Sequence, residues 1–255
     1  MPFTLAHPAA VLPLRNRRYL HTAPLMIGAV TPDLPYYTPA HLSGHLTHDT
    51  HSLTGSFTID LPLGVAVLAC AFLLRRPLTV LLPARARWLC LRSLEPFRRG
   101  ARAWVLAPLA ILVGIWSHLL WDSFTHTDGW MVRRIAFLSR AVTLGGYSGE
   151  VCHLLQYLSS AAGLAILAVW YARLRVPAEA LRHRPGAHPG PALLLVAGAA
   201  LLIGGVQATL YYEQAEAVYH TVYLLLTHSL AWFAVLYLFA GTIVTIDHRS
   251  DARQR

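Results

Sequence analysis

Five apolar runs, each about as long as a helix that crosses a bilayer, leave few folds open to this chain. A spanning helix needs roughly 20 predominantly apolar residues. Such runs stand at about residues 52–74, 103–121, 151–171, 192–212 and 222–246. Trp104, Trp121, Tyr171, Tyr211 and Tyr212 lie near their ends, where amphipathic rings sit at headgroup level. In hydrocarbon every backbone N–H and C=O must be satisfied within the protein, so a run of this kind becomes a helix. The expectation is an all-α fold, a polytopic transmembrane helical bundle of about five spans, in a single membrane domain over residues 1–255. Only 13% of the 255 residues are charged, about half the share usual in soluble domains. No stretch remains for an independent soluble domain.

Residues 1–50 form a distinct N-terminal segment ahead of the first span. Its apolar pieces, residues 3–14 and 21–30, are too short to cross and are interrupted by Pro8, Pro13, Pro24 and Pro32. They read as a re-entrant or interfacial helical segment, because irregular backbone at membrane depth must pack against protein. The first charges follow the first apolar piece, the reverse of a cleavable signal peptide. Insertion without cleavage is expected.

The loops set the orientation. Twenty-one basic against 12 acidic residues leave a net charge of +9, and every basic residue is Arg. The absence of Lys suits a GC-rich bacterial genome. Eight arginines, from Arg75 to Arg102, separate the first two spans. Four more, Arg173, Arg175, Arg182 and Arg184, separate the third and fourth, and Arg249, Arg253 and Arg255 follow the fifth. All three groups fall on one side of a five-span chain. The positive-inside rule makes that side, and the C-terminus, cytoplasmic. The N-terminal segment and the loop at about 122–150 are then extracytoplasmic, in a bacterial cytoplasmic (inner) membrane. Arginines placed this way mark lipid bilayer as the partner and argue against nucleic acid. Cys70, Cys90 and Cys152 show no paired spacing, so neither a disulfide framework nor a CxxC zinc site is expected.

Polar residues that could carry chemistry gather in the half expected to be extracytoplasmic. In WSHLLWDSFTHTDGW, residues 116–130, His118 and Asp122 are one turn apart, and His126 repeats the interval. Helices commonly offer a metal two side chains at i and i+4, although the same pair could simply bond to each other. HLSGHLTHDTHSL, residues 41–53, adds His41, His45, His48, Asp49 and His51; one or two ligands and some hydrogen-bonding neighbours are expected among them. Asp33 is held between Pro32 and Leu34–Pro35, a turn that suits either a preorganised ligand or an ordinary bend. His7 is a lone polar residue in an apolar stretch, where a satisfied histidine is the commoner case. Asp60 lies inside the first span, nine residues past His51. On a regular helix it would face the other way, about 13 Å deeper, and it reads as a packing group. Gln156, Ser159, Ser160 and Gly163 form a small, polar stripe that reads as helix packing. His153, His220 and His228 are isolated.

The stretches MPFTLAHPAAVLPL, TPDLPYY, THSLTGSFTIDLPLG, SHLLWDSFTHTDGW and LLQYLSSAAGL, in this order over about residues 1–175, resemble a bacterial membrane family known as domain of unknown function 4184. The order of a His near the N-terminus, Pro-Asp, Thr-His-Ser-Leu and HxxxD is more distantly similar to the YdjM-like membrane proteins, described as membrane-bound metal-dependent hydrolases. That likeness implies a ligand set of His7, Asp33, His51, His118 and Asp122. This chain departs from the pattern in lacking an HxxxE or a Glu general base, and in having HLTHDTHSL where the pattern has HRGxTHSL.

Three functions are then open. One is a metal-dependent hydrolase at the lipid interface, with Zn²⁺ or Mn²⁺ held by mixed His and carboxylate ligands, a phosphoester or lipid-linked substrate, and His48, Asp49 or His126 as base. The second is a non-catalytic membrane protein whose polar cluster is structural or binds metal without catalysis. Transport is a third, with little support: Asp60 and a few histidines lie at membrane depth, and no inverted repeat is visible.

Overall fold

A computed structural model describes residues 4–15, 17, 19–37, 48–182, 189–210 and 218–254, leaving aside the side chains of 182, 189, 218–220 and 248–254. Helix dominates. Among the described residues, five helices are long and apolar enough to cross a membrane: Ser56–Leu73, Ala101–Thr125, Val151–Ala172, Gly190–Leu210 and Thr221–Asp247. Each coincides within a few residues with a run seen in the sequence. In chain order the helices are α1 (Pro8–Val11), α2 (Thr22–Val30), α3 (Ser56–Leu73), α4 (Arg75–Val80), α5 (Ala84–Arg99), α6 (Ala101–Thr125), α7 (Val151–Ala172), α8 (Ala178–Arg182), α9 (Pro189–Leu210) and α10 (Val218–Gln254). The chain divides into two compact units, one built from residues 1–34, 44–68 and 96–175 and the other from the remainder.

In the first unit the N-terminal segment is a helical hairpin packed on α6 and α7. Single 3₁₀ turns, Thr4–Ala6 and Leu12–Leu14, flank α1, because Pro8 and Pro13 withhold the N–H groups a longer α-helix needs. This limb runs along α7. Gly163 admits Ala6 so closely that a Cβ there would lie 3.0 Å from it, and the Arg15 guanidinium lies 5.6 Å from the centre of the Trp170 ring. The returning limb, α2, runs beside α6 in the same direction. The two backbones touch: a Cβ on Gly114 would lie 2.4 Å from the Leu25 carbonyl, and one on Gly28 would lie 2.1 Å from the Ile111 carbonyl. Small residues let helices approach this closely in lipid. Leu25 and Ala29 then seal against Val11 and Ala110. After Val30, Pro32 and Pro35 convert the chain to a 3₁₀ turn, Thr31–Tyr37, which carries Asp33.

The connection from α6 to α7 is built rather than slack. Met131 and Val132 both donate to the Ser123 carbonyl, and Val132, Leu138 and Cys152 form a small core. Within it is a two-stranded antiparallel hairpin, β1 (Ala141–Leu144) and β2 (Tyr147–Glu150), an addition to the helical reading. Gly145 (φ 58°) and Gly146 make the tight turn, since left-handed backbone suits glycine and favours this hairpin.

The second unit pairs α9 with α10 and adds α4 and part of α5. Gly204 receives Ser229, whose Oγ would lie 2.3 Å from a Cβ there, and the Trp232 indole donates to Gln207 Oε1 at 2.9 Å. Tyr237 donates to the Leu78 carbonyl at 2.8 Å and packs with Leu81 and Val196.

Candidate metal centre

Three segments of the first unit bring four polar residues to one place. Asp33 comes from the 3₁₀ turn after α2, His51 from the turn before α3, and His118 and Asp122 from consecutive turns of α6. One ligand atom from each lies within 4.8 Å of all the others. His118 Nε2 is 3.1 Å from Asp122 Oδ2 and 3.5 Å from Asp33 Oδ1. His51 Nε2 is 3.4 Å from Asp33 Oδ1 and 3.6 Å from Asp122 Oδ2. His7, from the start of the N-terminal limb, stands beside the group with Nε2 3.6 Å from Asp122 Oδ1, its ring stacked on His118 at 3.7 Å.

These separations decide between two readings of the cluster. Charge-assisted hydrogen bonds between imidazolium and carboxylate are short, about 2.7–2.9 Å, and aligned. Here His7 Nε2, His118 Nε2 and both oxygens of Asp122 are buried without a hydrogen-bond partner, even where the pair distance is 3.1 Å. Ligands held about 2.0–2.2 Å from a tetrahedral metal lie roughly 3.3–3.6 Å from one another. The four His–Asp separations, 3.1–3.6 Å, lie near that figure, within a set whose atoms are all within 4.8 Å of one another. Two carboxylates would also balance a divalent cation, and a carboxylate buried with nothing to neutralise it costs several kcal/mol. The donor set fits a metal ion.

Neighbouring groups orient the donors. His118 Nδ1 lies 2.8 Å from the Ala29 carbonyl, which fixes the tautomer with its proton there and turns the Nε2 lone pair to the carboxylates. Thr4 donates to Asp33 Oδ2 at 2.7 Å. Thr50 donates to the Pro32 carbonyl at 3.0 Å and lies 3.2 Å from His51 Nδ1. Burial, then the adjacent His118, lowers His7 to about 4, so its imidazole is neutral at ordinary pH. Burial pushes Asp33 up, but the His118 imidazole and polar contacts from His118, His51 and Thr4 outweigh it and hold the carboxyl well below its usual range. Burial opposes a charge on His51, yet Asp33 and Asp122 beside it raise the imidazole. A ring between two carboxylates attracts a cation of either kind.

Exposure is uneven across the cluster. The side chains of Asp33, His118 and Asp122 are between 0% and 8% exposed, whereas His51 is 23% exposed. His126 is also partly open, 27% exposed, with Nδ1 3.8 Å from Asp122 Oδ2 and 3.2 Å from the Asp122 carbonyl; burial lowers its pKa. His48 and Asp49 are exposed and 3.6 Å from each other, outside the group of four. His41 and His45 lie outside the described residues.

Sequence reasoning missed Thr4, Thr50 and the Ala29 carbonyl. Thr4 and His7 share a face at i, i+3, which is the one signal that pointed to the first. Asp60 also differs from its expected place. Residues 51–54 are turns and Ser56–Asp60 is a π-helical stretch, so the regular-helix extrapolation from His51 fails. Asp60 is 0% exposed, has no hydrogen-bond partner on either oxygen, and interacts electrostatically with His51 and His118. Of the isolated histidines, His228 lies 2.8 Å from the Leu224 carbonyl by its Nδ1, and the His220 side chain is outside the described set.

Fold and site together define a multi-span helical membrane protein with a buried His/Asp cluster able to hold a metal ion. A family model described as "Domain of unknown function (DUF4184)" matches residues 1–246, and the chain belongs to that family. No curated protein and no solved structure matches it.

Proposed function

We propose that this protein is a membrane-embedded, metal-dependent hydrolase that acts on a phosphoester or lipid-linked substrate at the extracytoplasmic face of a bacterial inner membrane. Asp33, His51, His118 and Asp122 hold one divalent cation, Zn²⁺ or Mn²⁺, with His7 as a fifth donor or a neighbour that positions Asp122. The observation that supports the reading is that His7 Nε2, His118 Nε2 and both Asp122 carboxylate oxygens are buried without a hydrogen-bond partner although they stand only 3.1–3.6 Å apart, with Asp33 and His51 beside them. A cation so bound supplies Lewis acidity toward a phosphoryl or carbonyl oxygen and a lowered pKa for water. His126 is the base: it is partly exposed, stands beside Asp122, and has the depressed pKa of an imidazole free to accept a proton. His48 and Asp49, exposed and adjacent to each other, stay outside the reacting set. The arginine pattern supports the orientation.

The closeness of the site favours one competing reading, a structural metal without catalysis. Closed sites are structural, and catalytic ones keep a position open; the 23% exposure of His51 and the adjacent His126 favour the open kind. Elemental analysis of purified protein tests the metal. About one divalent ion per chain is expected in wild type and none in His118→Ala or Asp122→Ala; a metal-free wild type ends both metal readings. Hydrolysis of bis(p-nitrophenyl) phosphate then separates the two. His126→Ala should keep the metal and lose roughly 10²–10⁴ in rate, and a loaded wild type with no turnover leaves the structural role.

A further inference from the structure

A cavity of about 240 Å³ adjoins the cluster, lined among others by His7, Ala10, Trp121, Ser159, Ser160 and Gly163. Its walls are apolar, and it lies between the N-terminal limb and the membrane-spanning part of α7. We propose that this groove seats one acyl chain of a membrane phospholipid whose anionic head reaches the cluster; the inference rests on the hydrolase reading for its purpose but not for its test.

His7 joins the two sites. Its ring forms part of the groove wall, and its Nε2 is 3.6 Å from Asp122 Oδ1. Trp121, one residue before that ligand, lines the groove and donates through its indole N–H to Ser159 Oγ at 3.1 Å. From Ser159 the lining continues to Ile166, which is 52% exposed on a lipid-crossing helix. Seven residues of helix make about 10 Å of groove. It is polar at the cluster end and apolar beyond, the polarity of a phospholipid entering from the side. The polar groups of the lining, His7, Trp121, Ser159 and Ser160, are the ones that would meet the ester or phosphate end of such a lipid. The stripe that reads in sequence as helix packing therefore has two uses. Gly163 packs on Ala6, while Ser159 and Ser160 face the groove, their hydroxyls bonded to the Gln156 carbonyl.

Lipid photolabelling tests the assignment without requiring turnover. The probe is a phosphatidic acid with a diazirine midway along one acyl chain, in phosphatidylcholine vesicles carrying the full-length protein. Labelling should concentrate on residues 4–15 and 151–172, saturate, and be competed by unlabelled phosphatidic acid. Ala162→Phe and Ala10→Phe, at exposed lining positions, should each cut it about tenfold, the loss expected when about two buried methylenes are displaced, with metal content unchanged. Even labelling of all five spans, or labelling that neither variant alters, overturns the groove. Absent hydrolysis with focused labelling would remove the enzyme and keep the groove; turnover of a soluble phosphodiester with diffuse labelling would do the reverse.

Discussion

His118 has its Nδ1 at the Ala29 carbonyl, backbone 89 residues away, and its Nε2 between two carboxylates, so the ring's orientation is fixed from both sides. Metal ligands are commonly held this way, and removing the group that orients a ligand typically costs 10–100-fold in affinity. Thr4 plays that part for Asp33 at 2.7 Å. Thr4→Val keeps the shape and removes the donor, and should weaken metal binding by about 10–100-fold in a competition titration. Equal affinity in the variant would show that Asp33 is positioned by its turn alone. His118, Asp122 and His51 were visible as candidates from spacing and local density of histidine. Asp33 and His7 were noticed from the residues as well, but a lone carboxylate in a proline turn and a lone imidazole in an apolar stretch each have ordinary explanations, and the family resemblance was what favoured them as ligands.

At the scale of elements, the site depends on α2 and α6 ending at one level. Their backbones are in van der Waals contact through Gly28 and Gly114, and a side chain at either position must push the pair apart. Gly114→Val should lower thermal stability in detergent by the order of 1–3 kcal/mol and reduce metal content with it. Gly198→Val, where a Cβ meets nothing within 4 Å, should change neither measurably. Similar losses from both would mean that the glycines act through helix propensity rather than approach. The long spans were legible because composition alone makes them helices in lipid. The π-helical start of α3 and the β1–β2 hairpin were not, since each depends on local hydrogen bonds that hydropathy does not carry; the Gly145–Gly146 pair was the available cue for the second.

For the molecule as a whole, charge and hydropathy distribute the loops. Five candidate spans with arginines massed in alternate loops predict that the two ends lie on opposite sides. A reporter fused after Arg255 should behave as cytoplasmic, and one placed in the β1–β2 turn at Gly145–Gly146 as extracytoplasmic. The opposite pattern would move the cluster to the inner leaflet. Either result leaves the cluster near the end of α6: His118 is seven residues, about 10 Å, from Thr125.

The amino-acid sequence alone determined the class, because the length and apolarity of a run suffice to make a helix able to cross a bilayer, and arginine counts predict the order of the loops. It also determined which side chains were available to a metal. Tertiary structure decided which of them meet. His7, Asp33, His51 and the α6 pair are separated by up to 115 residues, and only the close glycine contacts and proline-ended turns bring imidazole and carboxylate atoms to ligand spacing. The groove beside them was decided there too, since a run of small residues packs where a neighbour approaches and opens where it does not.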